Sequence, residues 1–143
     1  MAKSYYSTVL DHDAETVWAV VRDFNGLATW WSASVSESHI EDGKAGDQVG
    51  AIRSFKLGDA TIRERLMALS DLDRSFSYAF EEPRPFPVDN YVATARVRPV
   101  ADGRSFVEYY AEFDHADVDH WTAFFAAEVF APALAALSEY LGR

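Results

Sequence analysis

The 143-residue sequence contains no cysteine, which excludes disulfides, thiolate nucleophiles and cysteine-ligated zinc together. Positive charge is also scarce: 13 lysines and arginines face 23 aspartates and glutamates, a formal net charge of −10. Nucleic acid and anionic membrane both demand a basic face, so neither is an expected partner. Membrane insertion is not expected either, because no segment approaches a membrane span and the opening MAKSYYSTVL has no apolar stretch of signal-peptide length. We read a soluble cytoplasmic protein, monomer or homodimer. There is no glycine-rich phosphate loop and no serine nucleophile elbow, which removes support for nucleotide-binding and hydrolase classes, and no cofactor is expected. Repeats, low-complexity tracts and linkers are absent as well. Residues 1–143 therefore read as one domain, long enough to bury on the order of 70% of the surface its unfolded chain exposes.

What the sequence has in plenty is aromatic residues: ten Phe, seven Tyr and four Trp, 15% of the chain and spread along all of it. Lys3 to Leu10 is a β-branched and aromatic strand. DHDAETVWAVVRDF then starts a helix, with Asp13 as N-cap, Glu15 in the first turn and Val17, Val20, Val21 and Phe24 at helical spacing; Asn25-Gly26 ends it. LATWW is a second short helix. Turn signals at EDGKAGD, Gly58-Asp59, SDLDR, EEPRPFPVD and ADGR divide the middle into about six hairpin strands. From Asp119, the expected N-cap, a long helix is apolar on most sides. The order predicts an α+β domain whose antiparallel sheet packs on the last helix.

Strand parity predicts which side chains face inward. Phe76, Tyr78 and Phe80 share one face, as do Tyr91, Ala93, Ala95 and Val97, and Val107, Tyr109, Ala111 and Phe113. A three-residue loop from Asp102 to Arg104 aligns the last two sets and places Arg98 opposite Glu108. In GAIRSFKLGDATIRERLMAL, a Gly58-Asp59 turn pairs Leu57 with Ala60, Phe55 with Ile62, Arg53 with Glu64 and Ala51 with Leu66, all on the inner face. Lys56, Ser54, Arg63 and Arg65 take the outer one. The register that buries the apolar residues thus sets two opposite charges across from each other, close enough for a charge-assisted hydrogen bond.

The segments AETVWAVVRDF, LATWW, VGAIRSF, ERLMALSDLDRSFSYAF, PVDNYVATARVRPV and FVEYYAEFD, followed by one long helix, resemble in their order the START-like, helix-grip (SRPBCC) superfamily, in particular its polyketide cyclase/dehydrase and lipid-transport branch. The resemblance implies a curved seven-stranded antiparallel sheet wrapped around the C-terminal helix, two short helices after the first strand, and a hydrophobic cavity between sheet and helix. Plant abscisic acid receptors are distantly similar, which implies a pocket glutamate at Glu64 and a pocket tyrosine at Tyr91. Their carboxylate-binding lysine has no counterpart, Trp31 standing there, and their gate sequence is missing, so a hormone-receptor role is not carried over. Tyr109 stands where the bacterial branch has tryptophan.

Fold and parity together predict the site. Glu64 and Arg53 are the candidate acid/base or anchoring pair, with Trp30, Trp31, Phe55, Leu66, Tyr78, Phe80, Tyr91, Tyr109, Phe125 and Val129 as ligand-binding residues. The small Ala93, Ala95 and Ala111 between inward aromatics predict a ligand-sized void, and Trp30 and Trp31 are expected at its mouth. On the last helix, Phe125, Val129, Pro132, Ala133 and Ala136 form one stripe, Glu128 lies solvated at its edge, and Pro132 bends the helix near Glu128. The cluster His115, Asp117, Asp119 and His120 matches no helical metal signature, so no metal is expected; His12 and His39 are read as isolated and exposed. The expected function is binding of a small hydrophobic or aromatic, polyketide-like or lipid-like molecule; the alternative is a cofactor-independent cyclase, dehydratase or lyase using acid/base groups in the same cavity.

Overall fold

The structure, a computed structural model, describes residues 1–142. Its seven strands form one antiparallel sheet: β1 (Ala2–Leu10), β2 (Val35–Ile40), β3 (Ile52–Leu57), β4 (Ala60–Ser70), β5 (Ser75–Phe80), β6 (Asp89–Val100) and β7 (Arg104–Asp114). Their order across the sheet is β1-β7-β6-β5-β4-β3-β2, so every neighbour except β1–β7 is a sequential hairpin partner. Helices α1 (Ala14–Val21) and α2 (Leu27–Trp30) lie between β1 and β2, and one helix runs from Val118 to Leu141. Asp13 caps α1 by accepting a hydrogen bond from the Thr16 backbone N–H. This is the expected architecture, sheet gripping helix. It accounts for the alternation read along the strands, since Tyr91, Ala93, Ala95, Val97, Val107, Tyr109, Ala111 and Phe113 are all buried.

The β3–β4 hairpin has the predicted register, Leu57↔Ala60, Phe55↔Ile62 and Arg53↔Glu64. Gly58 stands at φ 62, a conformation glycine adopts without the Cβ clash. The β6–β7 hairpin differs from expectation: Val100 pairs with Arg104, so the loop is Ala101 to Gly103 and Glu108 lies opposite Arg96 instead of Arg98. Asp102 and Gly103 take the two positive-φ positions of the turn. Moving a three-residue loop by one residue shifts the register by two, so the inner and outer faces are unchanged. Arg98 still reaches the buried Glu108 diagonally, donating from Nε at 3.2 Å. On the outer face of the β3–β4 hairpin Ser54 is buried, while Lys56 is exposed and Arg63 and Arg65 are half-buried.

The C-terminal helix departs from a simple stripe. Its N-cap is Asp117, which accepts from the His120 N–H, and Asp119 lies in the first turn instead. Over Phe125–Phe130 it is π-helical, immediately ahead of Pro132. Proline has no N–H to give to the carbonyl of residue 128, and the wider turn before it is where the helix accommodates that loss. The extra residue in the turn advances the buried face by one. Phe125 is followed by Phe130, Ala133, Leu134 and Leu137 in the core, while Val129, Pro132 and Ala136 are only partly covered. Glu128 is exposed, as predicted. By length and composition this helix is apolar enough to cross a membrane, contrary to the expectation that no segment approaches a span. Its core-facing residues are nevertheless packed on the sheet, and Ser4 of β1 donates to the Thr122 carbonyl at 2.6 Å.

Candidate functional site

Arg53 and Glu64 reach the space between sheet and helix because β3 and β4 point both inward at the same rung. They are 2% and 5% exposed. Arg53 Nε donates to Glu64 Oε1 at 2.8 Å, and Nη1 donates to the Phe24 carbonyl at 3.0 Å. Nη2 also stands 2.8 Å from Oε1, an ion-pair contact too poorly aligned to be a hydrogen bond, so this buried nitrogen has N–H capacity to spare. The guanidinium carbon sits 4.2 Å from the Phe24 ring centre and 4.7 Å from that of Tyr78, a cation–π cage that offsets part of the lost hydration.

Tyrosines complete the polar end of the site. The Tyr78 and Tyr109 hydroxyls are hydrogen-bonded to each other at 2.9 Å. Tyr91 is stacked on Phe80, with ring centres 4.0 Å apart. Burial, reinforced by Tyr109 and Glu64, pushes the Tyr78 phenol well above its ordinary value, and burial with Glu64 does the same to Tyr91. Burial also raises Tyr109, with the charge of Arg53 opposing it. Burial raises the Glu64 carboxyl against the opposing pull of Arg53, while burial works against the Arg53 charge and is outweighed by Glu64 and Tyr109. The site thus holds one fixed cation, a carboxyl of raised proton affinity and three neutral phenols. In an alkaline ultraviolet titration, Tyr78→Phe should leave the phenolate step near pH ~10, the range of exposed tyrosines, unchanged in amplitude. A smaller step in the variant would mean that Tyr78 ionises like a surface phenol.

Of the predicted residues, Arg53, Glu64, Trp31, Phe55, Tyr78, Phe80, Tyr91, Tyr109, Phe125 and Val129 line one internal cavity. Trp30 does not. It borders a second, smaller space beside Arg53 and Tyr109, with its ring stacked on that of Trp31, and both tryptophans are buried. Leu66, paired with Tyr78 across the β4–β5 ladder, is fully buried outside either space. The predicted set omits Leu57, which parity places on the inner face, and also Phe86 and Phe130, among others. Phe86 could be found by asking which apolar residues flank the turns. Phe130 is hidden by the π-helical turn.

The expected ligand-sized void is not there: the cavity holds about 30 Å³, room for a water or two. The small Ala93, Ala95 and Ala111 do leave space on the sheet, and aromatic rings fill it from above. Phe130 stacks on Tyr109 at 4.9 Å, and Phe125 packs edge-on against Phe113 at 5.3 Å. Phe86, from the β5–β6 loop, stands 5.5 Å from Phe125. The half-buried lining residues Leu57, Phe80, Phe86 and Val129 mark the side nearest solvent. The histidines and aspartates that begin the C-terminal helix lie apart from this space, where His115 and His120 pack on Trp121. Among the described residues no three His, Asp or Glu side chains are grouped to hold a metal ion.

The family described as polyketide cyclase / dehydrase and lipid transport matches residues 1–141. No curated protein matches the chain. Among solved structures, a protein of Thermobifida fusca is 28% identical over 98% of this chain and 93% of its own, with a TM-score of 0.84. The norcoclaurine synthase of Thalictrum flavum, solved with dopamine and hydroxybenzaldehyde, is 15% identical over 97% of this chain and 85% of its own, with a TM-score of 0.78. The di-domain ARO/CYC BexL of the BE-7585A biosynthetic pathway is 17% identical, TM-score 0.79, over 99% of this chain and 46% of that one. The last two share the helix-grip fold.

Proposed function

Since this chain belongs to the polyketide cyclase/dehydrase and lipid transport family, we propose that it binds a small oxygenated aromatic or polyketide-like molecule, with the oxygen at the Arg53–Glu64 end and the rings among Phe55, Phe80 and Phe125. The observation that carries this reading is Nη2 of a guanidinium almost wholly removed from water, which touches Glu64 Oε1 at 2.8 Å yet has no aligned acceptor. Such an N–H is costly to leave unmade, and a carbonyl, phenol or carboxylate oxygen would satisfy it. Only one end of the cavity is polar; the rest is ring and aliphatic surface, the division typical of small-molecule sites. The sheet-and-helix neighbour solved with dopamine and hydroxybenzaldehyde is consistent with that chemical class.

A second reading, catalysis, rests on Glu64. Burial raises the proton affinity of its carboxyl, the direction that suits a group which must accept a proton and hold it. With a ligand carbonyl on Arg53 Nη2, Glu64 would take a proton from the adjacent carbon, and the electron pair of the broken C–H bond would pass to the oxygen as an enolate. Arg53 and a tyrosine hydroxyl would hold that charge; the enolate carbon would then bond to a second carbonyl carbon, whose oxygen takes the proton back from Glu64 as a hydroxyl, or the enolate would expel a hydroxyl from the next carbon, which leaves as water with that same proton.

Titrating a panel of naphthols, hydroxybenzaldehydes and acyl chains while following tryptophan emission tests the binding reading. Trp31 lines the cavity, so binding should change the emission, and Trp31→Phe should remove most of that change. A panel that produces no response in the unaltered protein sinks it.

A further inference from the structure

We propose that the internal site holds one anion at a time: it takes a neutral ligand with a proton to offer Glu64, a phenol or an enolisable ketone, and admits a carboxylate only when a proton enters with it. This rests on the reading that the cavity takes a ligand. The first observation is a charge count. Among the described residues that line the cavity, Arg53 is the one cation and Glu64 the one carboxyl, opposed on the same rung of the β3–β4 hairpin. The other titratable groups around them are phenols: Tyr78 on β5, Tyr91 on β6 and Tyr109 on β7. Neither α2 nor the C-terminal helix brings a charged side chain to this space, and Asp23, which borders the smaller space beside Arg53, is exposed. A second buried anion would therefore have no cation left to balance it, and an unbalanced charge away from water is costly.

The second observation is how the two charges share their hydrogen bonds. An arginine facing a carboxylate commonly forms two parallel bonds, one to each oxygen. Here the fork is turned aside: the Phe24 carbonyl takes Nη1 at 3.0 Å, and the contacts of both Nε and Nη2 fall on Oε1. Arg53 thus makes no bond to Oε2, while Nη2 keeps N–H capacity to spare. A hydroxyl fits that arrangement because it accepts and donates at once, accepting from Nη2 and donating to Oε2. An ether oxygen meets only the donor. A carboxylate meets the donor while setting a like charge against Glu64. The same count holds through proton transfer. When Glu64 takes a proton from the ligand, the electron pair stays on the ligand and the carboxyl becomes neutral, so the anion changes place and there is still one.

Three ligands on one ring system test the rule by calorimetric titration: 2-naphthol, 2-methoxynaphthalene and 2-naphthoate. Capping the hydroxyl as the ether should weaken binding on the order of 10- to 100-fold, the equivalent of one hydrogen bond to a charged group. Naphthoate should bind no better than the ether at pH 8 and gain about tenfold for each unit by which the pH is lowered toward 6, because one proton enters with it. Naphthol, neutral over that range, should change by less than about twofold. Repeating the naphthoate titration in buffers of different ionisation enthalpy counts the proton directly in the unaltered protein, so the rule is decided whether or not a variant folds. Glu64→Gln, which removes the resident anion and keeps an acceptor oxygen, should invert the order: naphthoate at least about tenfold tighter than naphthol, with no proton taken up. Naphthoate that binds the unaltered protein at pH 8 as tightly as naphthol, or without a proton, overturns the rule and leaves the ligand reading standing; an ether as tight as naphthol does the same. If none of the three compounds binds, the ligand reading itself falls, and the rule with it.

Discussion

Glu64→Leu should destabilise the protein by about 3 to 5 kcal/mol, measured by urea unfolding at neutral pH, whereas Arg53→Met with Glu64→Leu should cost about 1 kcal/mol or less. The single change leaves a guanidinium 2% exposed, with only the Phe24 carbonyl and the surrounding rings to hold it. An arginine cannot escape by losing its proton. The reverse single change is not equivalent. In Arg53→Met the stranded group is a carboxyl, which can become neutral, and its proton affinity, raised by burial, rises further once the opposing charge of Arg53 is gone. A carboxyl whose folded value lies above its unfolded one stabilises fully below the ordinary carboxylate range, near pH ~4.3, and loses that contribution as pH rises through the folded value. Arg53→Met should therefore approach the stability of the unaltered protein as pH falls from 7 toward that range, and Glu64→Leu should not. Surface carboxyls such as Asp71 and Glu41, which arginines hold below their ordinary values, change stability in the opposite sense. They are common to all three proteins and cancel in the differences. Singles and double all within about 1 kcal/mol of the unaltered protein would mean that the pair is not a buried ion pair.

The ion pair is legible in the sequence for a simple reason. A two-residue turn allows one register, and that register buries Phe55, Ile62 and Leu66 together with Arg53 and Glu64, so parity and turn chemistry leave no freedom. The β6–β7 loop allows two positions with identical faces, and the choice between them lies in the positive-φ preference of Asp102 and Gly103, a signal weaker than burial. The helix stripe is legible as far as Phe125. Beyond it a 3.6-residue period points to Val129 and Ala136, and the π-helical turn substitutes Phe130 and Leu137. Pro132 predicts a bend; that it also rotates the buried face depends on how the freed carbonyl is accommodated, which no spacing reveals. The cavity is the least legible feature. Small residues on one wall do not make a void when the opposite wall carries rings, and Phe86 arrives from a loop whose side-chain direction has no period to predict it.

Whether the Arg53–Glu64 pair serves a ligand or only the fold is decided by the double variant, because it removes the polar end of the site without stranding a charge. Two ligands that differ by one oxygen, 2-naphthol and naphthalene, make the comparison specific. In the proposed pose the naphthol oxygen accepts from Arg53 Nη2, which touches Glu64 Oε1 but makes no aligned hydrogen bond, and its O–H faces the Glu64 carboxylate. Hydrogen bonds to charged groups contribute about 1.5 to 3 kcal/mol, so the preference for naphthol should be on the order of 10- to 100-fold. Arg53→Met with Glu64→Leu should abolish that preference while leaving naphthalene binding nearly unchanged, since Phe55, Phe80 and Phe125 remain. Tyr78→Phe with Tyr109→Phe, which removes the hydroxyl pair and keeps both rings, should reduce the preference by a smaller factor, because the oxygen loses neutral donors and retains the charged one. A double charge variant that still prefers naphthol, or that keeps full turnover on any substrate later found, would assign Arg53 and Glu64 to the fold alone. The ligand's polar end would then lie with the three tyrosines, which burial keeps neutral and therefore able to donate.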